Sequence, residues 1–230
     1  MKHFILILIF PFCISAQPNA KQIIAIANSK FNKVNSYTAN INLQFNIPGV
    51  QLEPIAGKVF YKKPDKFRIH AKGIIFLPKQ NPYFALQSVR DTNSFTAVIS
   101  GEEKVGNILT RVVNVIPNDA TGDLILAKLW IDEVKYLVHK AKLTTKNSGT
   151  ISIEQYFGNE AETALPGEMK FVVDMAKFKV PKAMTMELNS KAKTGGEALN
   201  ARGIGEIKLN FSKYKLNEQF SDTVFSAPKL

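Results

Sequence analysis

One cysteine and three histidines are all that this 230-residue chain offers for thiol or imidazole chemistry. Cys13 lies in an N-terminal apolar run, so once that leader is removed neither a disulfide nor a thiol nucleophile can be built. Of the histidines, His70 and His139 lie outside the leader. Neither has Asp, Glu, Cys or His at metal-ligand spacing, and each falls where a strand pattern alternates outward, so both are expected at the surface. There is no G-x-S-x-G elbow and no phosphate-binding glycine loop, and the lone Gly203-Ile204-Gly205 sits in a strand-like run. The adjacent carboxylates Asp132 and Glu133 read as a turn between strands. The expectation is therefore no enzyme activity, no metal and no cofactor. Also missing are a second long apolar run, a fixed-period repeat and a linker dividing two domains.

The N-terminus carries a strong local signal. Lys2 and His3 precede the apolar run Phe4 to Phe12, and Ile14-Ser15-Ala16 ends in a small residue. That order predicts a secretory signal peptide over 1–16 with cleavage after Ala16, and a single domain over 17–230. The run is far shorter than the roughly 20 residues of a spanning helix. Lipidation of Cys13 fits poorly, because Phe10-Pro11-Phe12 stand where small or branched residues are wanted. The formal charge is +11 and falls by one with loss of Lys2. Lysines are spread along the chain without a block of about five like charges. They read first as a solvated coat and second as an attraction to anionic headgroups or acidic partners. Outside the cytoplasm, nucleic acid is not an expected partner.

Periodicity predicts one helix followed by strands. Over Ala20 to Val34, Ile23, Ile24, Ala27, Phe31 and Val34 recur at helical spacing, opposite Lys21, Gln22, Asn28, Ser29 and Lys33. After Asn35-Ser36 the period changes to two. Ile41, Leu43 and Phe45 alternate with asparagine and glutamine. Val59 and Tyr61 alternate with lysines, and after the Pro64-Asp65 turn Phe67, Ile69 and Ala71 alternate with Arg68, His70 and Lys72. Gly73 to Pro82 reads as an apolar loop. Tyr83–Arg90, Phe95–Ser100 and Ile108–Ile116 read as strands, and Pro117 to Asp123 as a polar loop. Leu129 and Ile131, then Val134, Tyr136 and Val138, read as strand-like on either side of Asp132-Glu133. Further alternating runs are Ile151–Phe157, Met169–Met175, Met184–Leu188 and Gly205–Phe211, with 191–203 as a long loop. About ten or eleven strands follow one another without intervening helices, which favours antiparallel meandering. A long sheet of that kind twists and curls. The expected architecture is mainly β with α: an open, incomplete antiparallel β-barrel covered by the N-terminal amphipathic helix and lid segments.

Several stretches resemble the LolA-like outer-membrane lipoprotein-sorting and carrier family. They are Asn35-Ser36-Tyr37-Thr38-Ala39 after a helix, Gly57 to Arg68 with its basic-basic-Pro turn, Leu129-Trp130-Ile131-Asp132 followed by Val138-His139-Lys140, and Tyr214-Lys215-Leu216-Asn217 with Phe220-Ser221-Asp222 and Phe225. They occur in family order over nearly the whole chain. The segment 73–123 is closer to the broader lipoprotein-sorting group than to the best-known carriers.

The resemblance implies a monomeric periplasmic carrier with an apolar interior. Its partners would be acylated lipoproteins, an inner-membrane ABC transporter of the lipoprotein-releasing type and an outer-membrane acceptor. The family carries an arginine before the turn proline that helps hold the lid and drive handover. Here Lys63 stands in its place, keeping the charge but losing the planar five-donor fork. Acyl-chain contacts are expected from Ile41, Leu43, Phe45, Val59, Tyr61, Phe67, Ile69, Ile151, Ile153, Phe171, Val173, Met184, Met186 and Leu188. Ile23, Ile24, Ala27 and Phe31 are expected to form the underside of the lid. Alternation by itself fits a solid core equally well; the resemblance is what implies a cavity. Two related readings are a carrier of free lipid or glycolipid, and an RseB-like lipoprotein sensor, a kind that usually carries a second domain.

Overall fold

The computed structural model describes residues 17–47, 53–71, 91–146, 149–174 and 204–226. The expected apolar loop 73–82, the expected strands Tyr83–Arg90 and 184–188, and the expected loop 191–203 lie outside these residues, as does the leader.

Helix α1 spans Ala20–Phe31. Asn19 caps it: its side chain accepts from the Gln22 backbone, while the Gln22 side chain returns to the Asn19 N–H. This reciprocal box satisfies donors that the first turn leaves free. The helix ends three residues before the expected Val34. Lys33 and Val34 donate to the carbonyls of Lys30 and Phe31, so the last turn tightens and unwinds. Val34 is still buried, because this tightened turn folds it back onto the core.

Among the described residues ten strands follow in one antiparallel sheet. They are β1 (Ser36–Asn46), β2 (Ile55–Lys62), β3 (Lys66–Ala71), β4 (Phe95–Val105), β5 (Ile108–Pro117), β6 (Leu124–Asp132), β7 (Val138–Thr145), β8 (Gly149–Phe157), β9 (Pro166–Asp174) and β10 (Ile204–Leu216). Their order across the sheet is β3-β2-β1-β10-β9-β8-β7-β6-β5-β4. The last strand thus pairs with the first in mid-sheet. Among the described residues β3 and β4 are each paired on one side only, so the barrel is open, as expected.

Curvature has local causes. The β1–β10 register shifts between Thr38 and Asn40, opposite Lys213, which adopts the left-handed backbone at φ 52°. The β4–β5 register shifts at Ile99–Gly101, where Gly101 takes φ 134°. Extra residues in one strand of a pair bend it and sharpen the twist.

Two expectations are corrected by the β6–β7 connection. Val134 and Tyr136 lie in a turn, not in a strand. Asp132 Oδ1 accepts the backbone N–H groups of Val134 and Lys135 at 2.7 and 2.8 Å. Tyr136 donates its N–H to the Asp132 carbonyl at 2.9 Å and takes φ 52°. A side-chain carboxylate that gathers the following N–H groups competes with the ladder, and alternating hydrophobicity cannot reveal it. Val134 is accordingly 85% exposed. The expected turn role of Asp132-Glu133 and the polar loop ahead of Asp123 match the structure.

His139, expected at the surface, is buried, with 7% exposure. The β6–β7 register pairs Trp130 with Lys140 but Ile131 with Val138, which leaves His139 as the extra residue of a bulge. Its Nε2 lies 3.6 Å from Asp132 Oδ2, too long for a good hydrogen bond, and its ring meets Phe157 edge-on at 5.3 Å. Burial lowers its proton affinity below the usual imidazole range, with Asp132 partly opposing. His70 is exposed, as expected.

Candidate functional site

The inner face of the sheet carries a continuous apolar row. Cross-strand pairs share a face, and the registers link Phe45, Ile207, Phe171, Ile153, Ala141, Leu129, Val113 and Ile99 into one row. The row crosses eight strands, β1 and β10 through β4, without a polar member. A second row runs Ile55, Leu43, Leu209 and Met169, ending on buried Gln155.

Of the residues expected to meet cargo, Ile41, Leu43, Val59, Tyr61, Ile151, Ile153 and Phe171 are buried within one hydrophobic cluster. Phe45, Phe67 and Ile69 are half-buried against it. Val173 pairs with Ile151 in register, but its side chain, like Met184, Met186 and Leu188, lies outside the described residues. On α1, Ile23, Ile24 and Ala27 are buried in the same cluster and Phe31 packs on it. The expected underside of the helix is the one that faces the sheet.

The helix touches both arms of the curled sheet. Lys21 Nζ lies 5.9 Å from the centre of the Phe95 ring in β4, the outermost strand of one edge. Phe31 lies 5.2 Å from Tyr61 in β2, next to the other edge. From Tyr61 an aromatic chain continues to Tyr37 at 5.2 Å, Tyr214 at 5.5 Å and Phe211 at 6.1 Å. Tyr214 donates its hydroxyl to the Pro166 carbonyl at 2.8 Å, and burial pushes its proton affinity well above the usual phenol range. Tyr37 and Tyr214 were not singled out as interior residues from sequence. The signal was available: Tyr37 and Ala39 extend the Ile41, Leu43 alternation.

Polar ties reach the C-terminal end of the helix. Lys63 donates from Nζ to the Asn32 carbonyl at 2.6 Å and to Asn35 Oδ1 at 3.1 Å. A cation on the last carbonyls complements the negative end of the helix dipole. Lys30 approaches Glu162 at 4.0 Å. Beneath the first turn of α1, Gln17, Pro18 and Ile23 meet Arg111, Ile131, Asp132, Glu133 and Tyr136 around a pocket of about 200 Å³. Arg111 Nη2 is held by Glu133 at 2.6 Å.

Among the described residues no group of three or more His, Cys, Asp or Glu could hold a metal, and no helix is long and apolar enough to cross a membrane.

An open antiparallel sheet bent over one amphipathic helix is the LolA-like fold, and solved structures bear this out. The chain is similar to a LolA superfamily protein from Nitrosomonas europaea, with a TM-score of 0.58 and 13% identity over 93% of this chain and 100% of that one. It is equally similar to a candidate outer membrane lipoprotein-sorting protein domain from Vibrio parahaemolyticus, with a TM-score of 0.58 and 9% identity over 90% and 95% of the two chains. A DUF1329 family protein from Desulfovibrio piger aligns at a TM-score of 0.52 and 10% identity over 91% and 98%. At such identities the likeness establishes the fold. No protein-family model matches the chain, and no curated protein sequence matches it.

Proposed function

We propose that the protein is an exported, periplasmic carrier without enzyme activity, which shelters the acyl chains of lipoproteins between the inner face of its sheet and α1. It takes cargo from an inner-membrane ABC transporter of the lipoprotein-releasing type and yields it to an outer-membrane acceptor. The observation that supports this most is the eight-strand apolar row lying under one amphipathic helix whose apolar side packs into the same cluster. The similarity to LolA superfamily and lipoprotein-sorting structures over at least nine-tenths of the chain points the same way.

The physical logic is a balance. Each methylene taken out of water contributes about 0.8 kcal/mol, so several acyl chains strongly prefer any apolar surface. A carrier must match that burial and still release it. This requires a cover that opens at lower cost than the sheet unfolds. In this reading α1 is the cover, Ile23, Ile24, Ala27 and Phe31 are its inner side, and Lys63 anchors its C-terminal end. Chains displace the helix from the inner face, where residues such as Phe45, Ile153 and Phe171 receive them.

Native mass spectrometry of the protein purified from a periplasmic extract tests this. The expected species is a one-to-one complex with an acylated lipoprotein. Phospholipid or glycolipid alone would make it a free-lipid carrier, and a form that neither contains nor accepts any acylated molecule overturns the proposal. Phe45→Asn should weaken cargo retention more than it lowers thermal stability; the reverse order would mark Phe45 as a structural residue only.

A further inference from the structure

Cations on the outer face are unevenly partnered. Across β4 to β10 each of four lysines meets a glutamate: Lys128 meets Glu103 at 3.2 Å, Lys140 and Lys170 meet Glu154 at 3.6 and 3.0 Å, and Lys208 meets Glu168 at 2.9 Å. The β2–β3 hairpin differs. Because Val59, Tyr61, Phe67 and Ile69 turn inward, the intervening Lys58, Phe60, Lys62, Lys66, Arg68 and His70 share its outer face. Register sets Lys58 opposite His70, Phe60 opposite Arg68 and Lys62 opposite Lys66. Like charges directly opposite repel, and neither strand supplies a carboxylate to this face. The carboxylates that meet them come from the C-terminal tail: Asp222 takes Lys62 at 2.6 Å and Lys66 at 2.5 Å, and Glu218, bonded to Thr38, lies within electrostatic reach of Lys58. The tail also sets Phe220 against Phe60 at 5.6 Å and beside Phe225 at 5.9 Å, and His70 Nε2 meets the Val224 carbonyl at 2.8 Å. Lys58 lies over the Phe60 ring at 5.3 Å and Lys66 over Phe225 at 5.9 Å.

We propose that the outer face of the β2–β3 hairpin, together with Phe220 and Phe225, is a docking surface for an anionic lipid bilayer, with Asp222 as its resident counterion. Four permanent cations, Lys58, Lys62, Lys66 and Arg68, lie in two rows along a hairpin with aromatic rings between them. That mixture suits the headgroup layer, where phosphates meet the cations and rings sit at the boundary of the acyl region. Attraction to an anionic surface is delocalised, so it rewards charge density more than a shaped pocket. The surface stands opposite the inner face and does not depend on what the interior carries.

Flotation with vesicles tests the inference. The full chain should bind vesicles of phosphatidylcholine mixed with phosphatidylglycerol, not phosphatidylcholine alone, and added salt should release it. At about 1 kcal/mol per basic residue near such a surface, each removed charge lowers partitioning about fivefold. Lys58→Gln with Arg68→Gln should therefore lower it about 25-fold. Lys104→Gln with Lys142→Gln removes the same charge from exposed sites elsewhere and should change it little. Asp222→Asn should strengthen binding. Equal losses in the two double variants, or indifference to anionic lipid, would overturn the assignment. So would a wild-type chain that ignores vesicles while its Asp222→Asn form captures a free 218–226 peptide in a Lys58- and Arg68-dependent way; the face would then dock protein. Unchanged cargo retention in the Lys58/Arg68 variant keeps this test separate from that of the carrier.

Discussion

Replacing Ile24 by alanine probes whether α1 is a cover or a fixed part of the core. Ile24 is 1% exposed, on the helix face that meets the sheet. The substitution removes three buried carbons, worth about 2.4 kcal/mol at about 0.8 kcal/mol each. Any cavity left behind adds to this, within the roughly 2–5 kcal/mol range for such changes. If α1 lifts off while the sheet stays folded, the whole loss falls on that local opening. Hydrogen exchange of backbone amides in 22–31 should then accelerate about 60-fold, since about 1.36 kcal/mol is a factor of ten. Amides of β8 and β9, whose Ile153 and Phe171 lie in the paired centre of the sheet, should keep their protection. Equal acceleration in helix and sheet would refute the reasoning. It would show that α1 leaves only when the whole domain unfolds, and the interior would have no separable entrance.

Three further outcomes follow from the geometry. Lys63→Gln removes the cation on the Asn32 carbonyl; it should cost about 0.5 kcal/mol and speed exchange mainly in the last turn of α1, with Lys63→Arg restoring most of it. Gly57→Ala would place a methyl 2.6 Å from the His70 carbonyl oxygen and 2.7 Å from Ala71 Cβ; β3 must shift, and a loss of about 1–3 kcal/mol in urea unfolding is expected. Asp222 is held at about 2 by the hydrogen bonds from Lys62 and then Lys66, against an ordinary 3.8. A depressed carboxylate contributes fully above its unfolded value and loses that contribution as pH falls through the folded one. The tail should therefore stay docked down to about pH 4 and loosen between about pH 4 and 2, read as exchange or NMR shifts of 218–226. Asp222→Asn should abolish that transition, and a transition persisting in the variant would assign it to another group.

Much of the fold was legible because two periods differ so plainly. Ile23, Ile24, Ala27 and Phe31 recur at helical spacing, whereas Ile41, Leu43 and Phe45 alternate, and each set faces the core where the period puts it. The misreadings share one cause. Alternation misplaces Val134, Tyr136 and His139 because it runs across a place where Asp132 collects backbone N–H groups and the ladder gains an extra residue. A side-chain cap or bulge costs one residue of register and turns every later face over. The interior set was readable strand by strand, yet the Tyr61–Tyr37–Tyr214 chain was not, since its members lie far apart along the sequence.

Hydropathy and turn residues alone determined that an amphipathic helix precedes an antiparallel meander with one apolar side. Those are local properties, set by side-chain spacing and backbone preference. Only the tertiary structure decided that β10 pairs with β1, that β3 and β4 are each paired on one side only among the described residues, and that α1 reaches both arms of the sheet. It also decided that Asp222 neutralises lysines on a hairpin some 160 positions earlier. Pairing between distant strands depends on which alignment buries the most apolar surface at once, a sum over the whole chain that no single window contains.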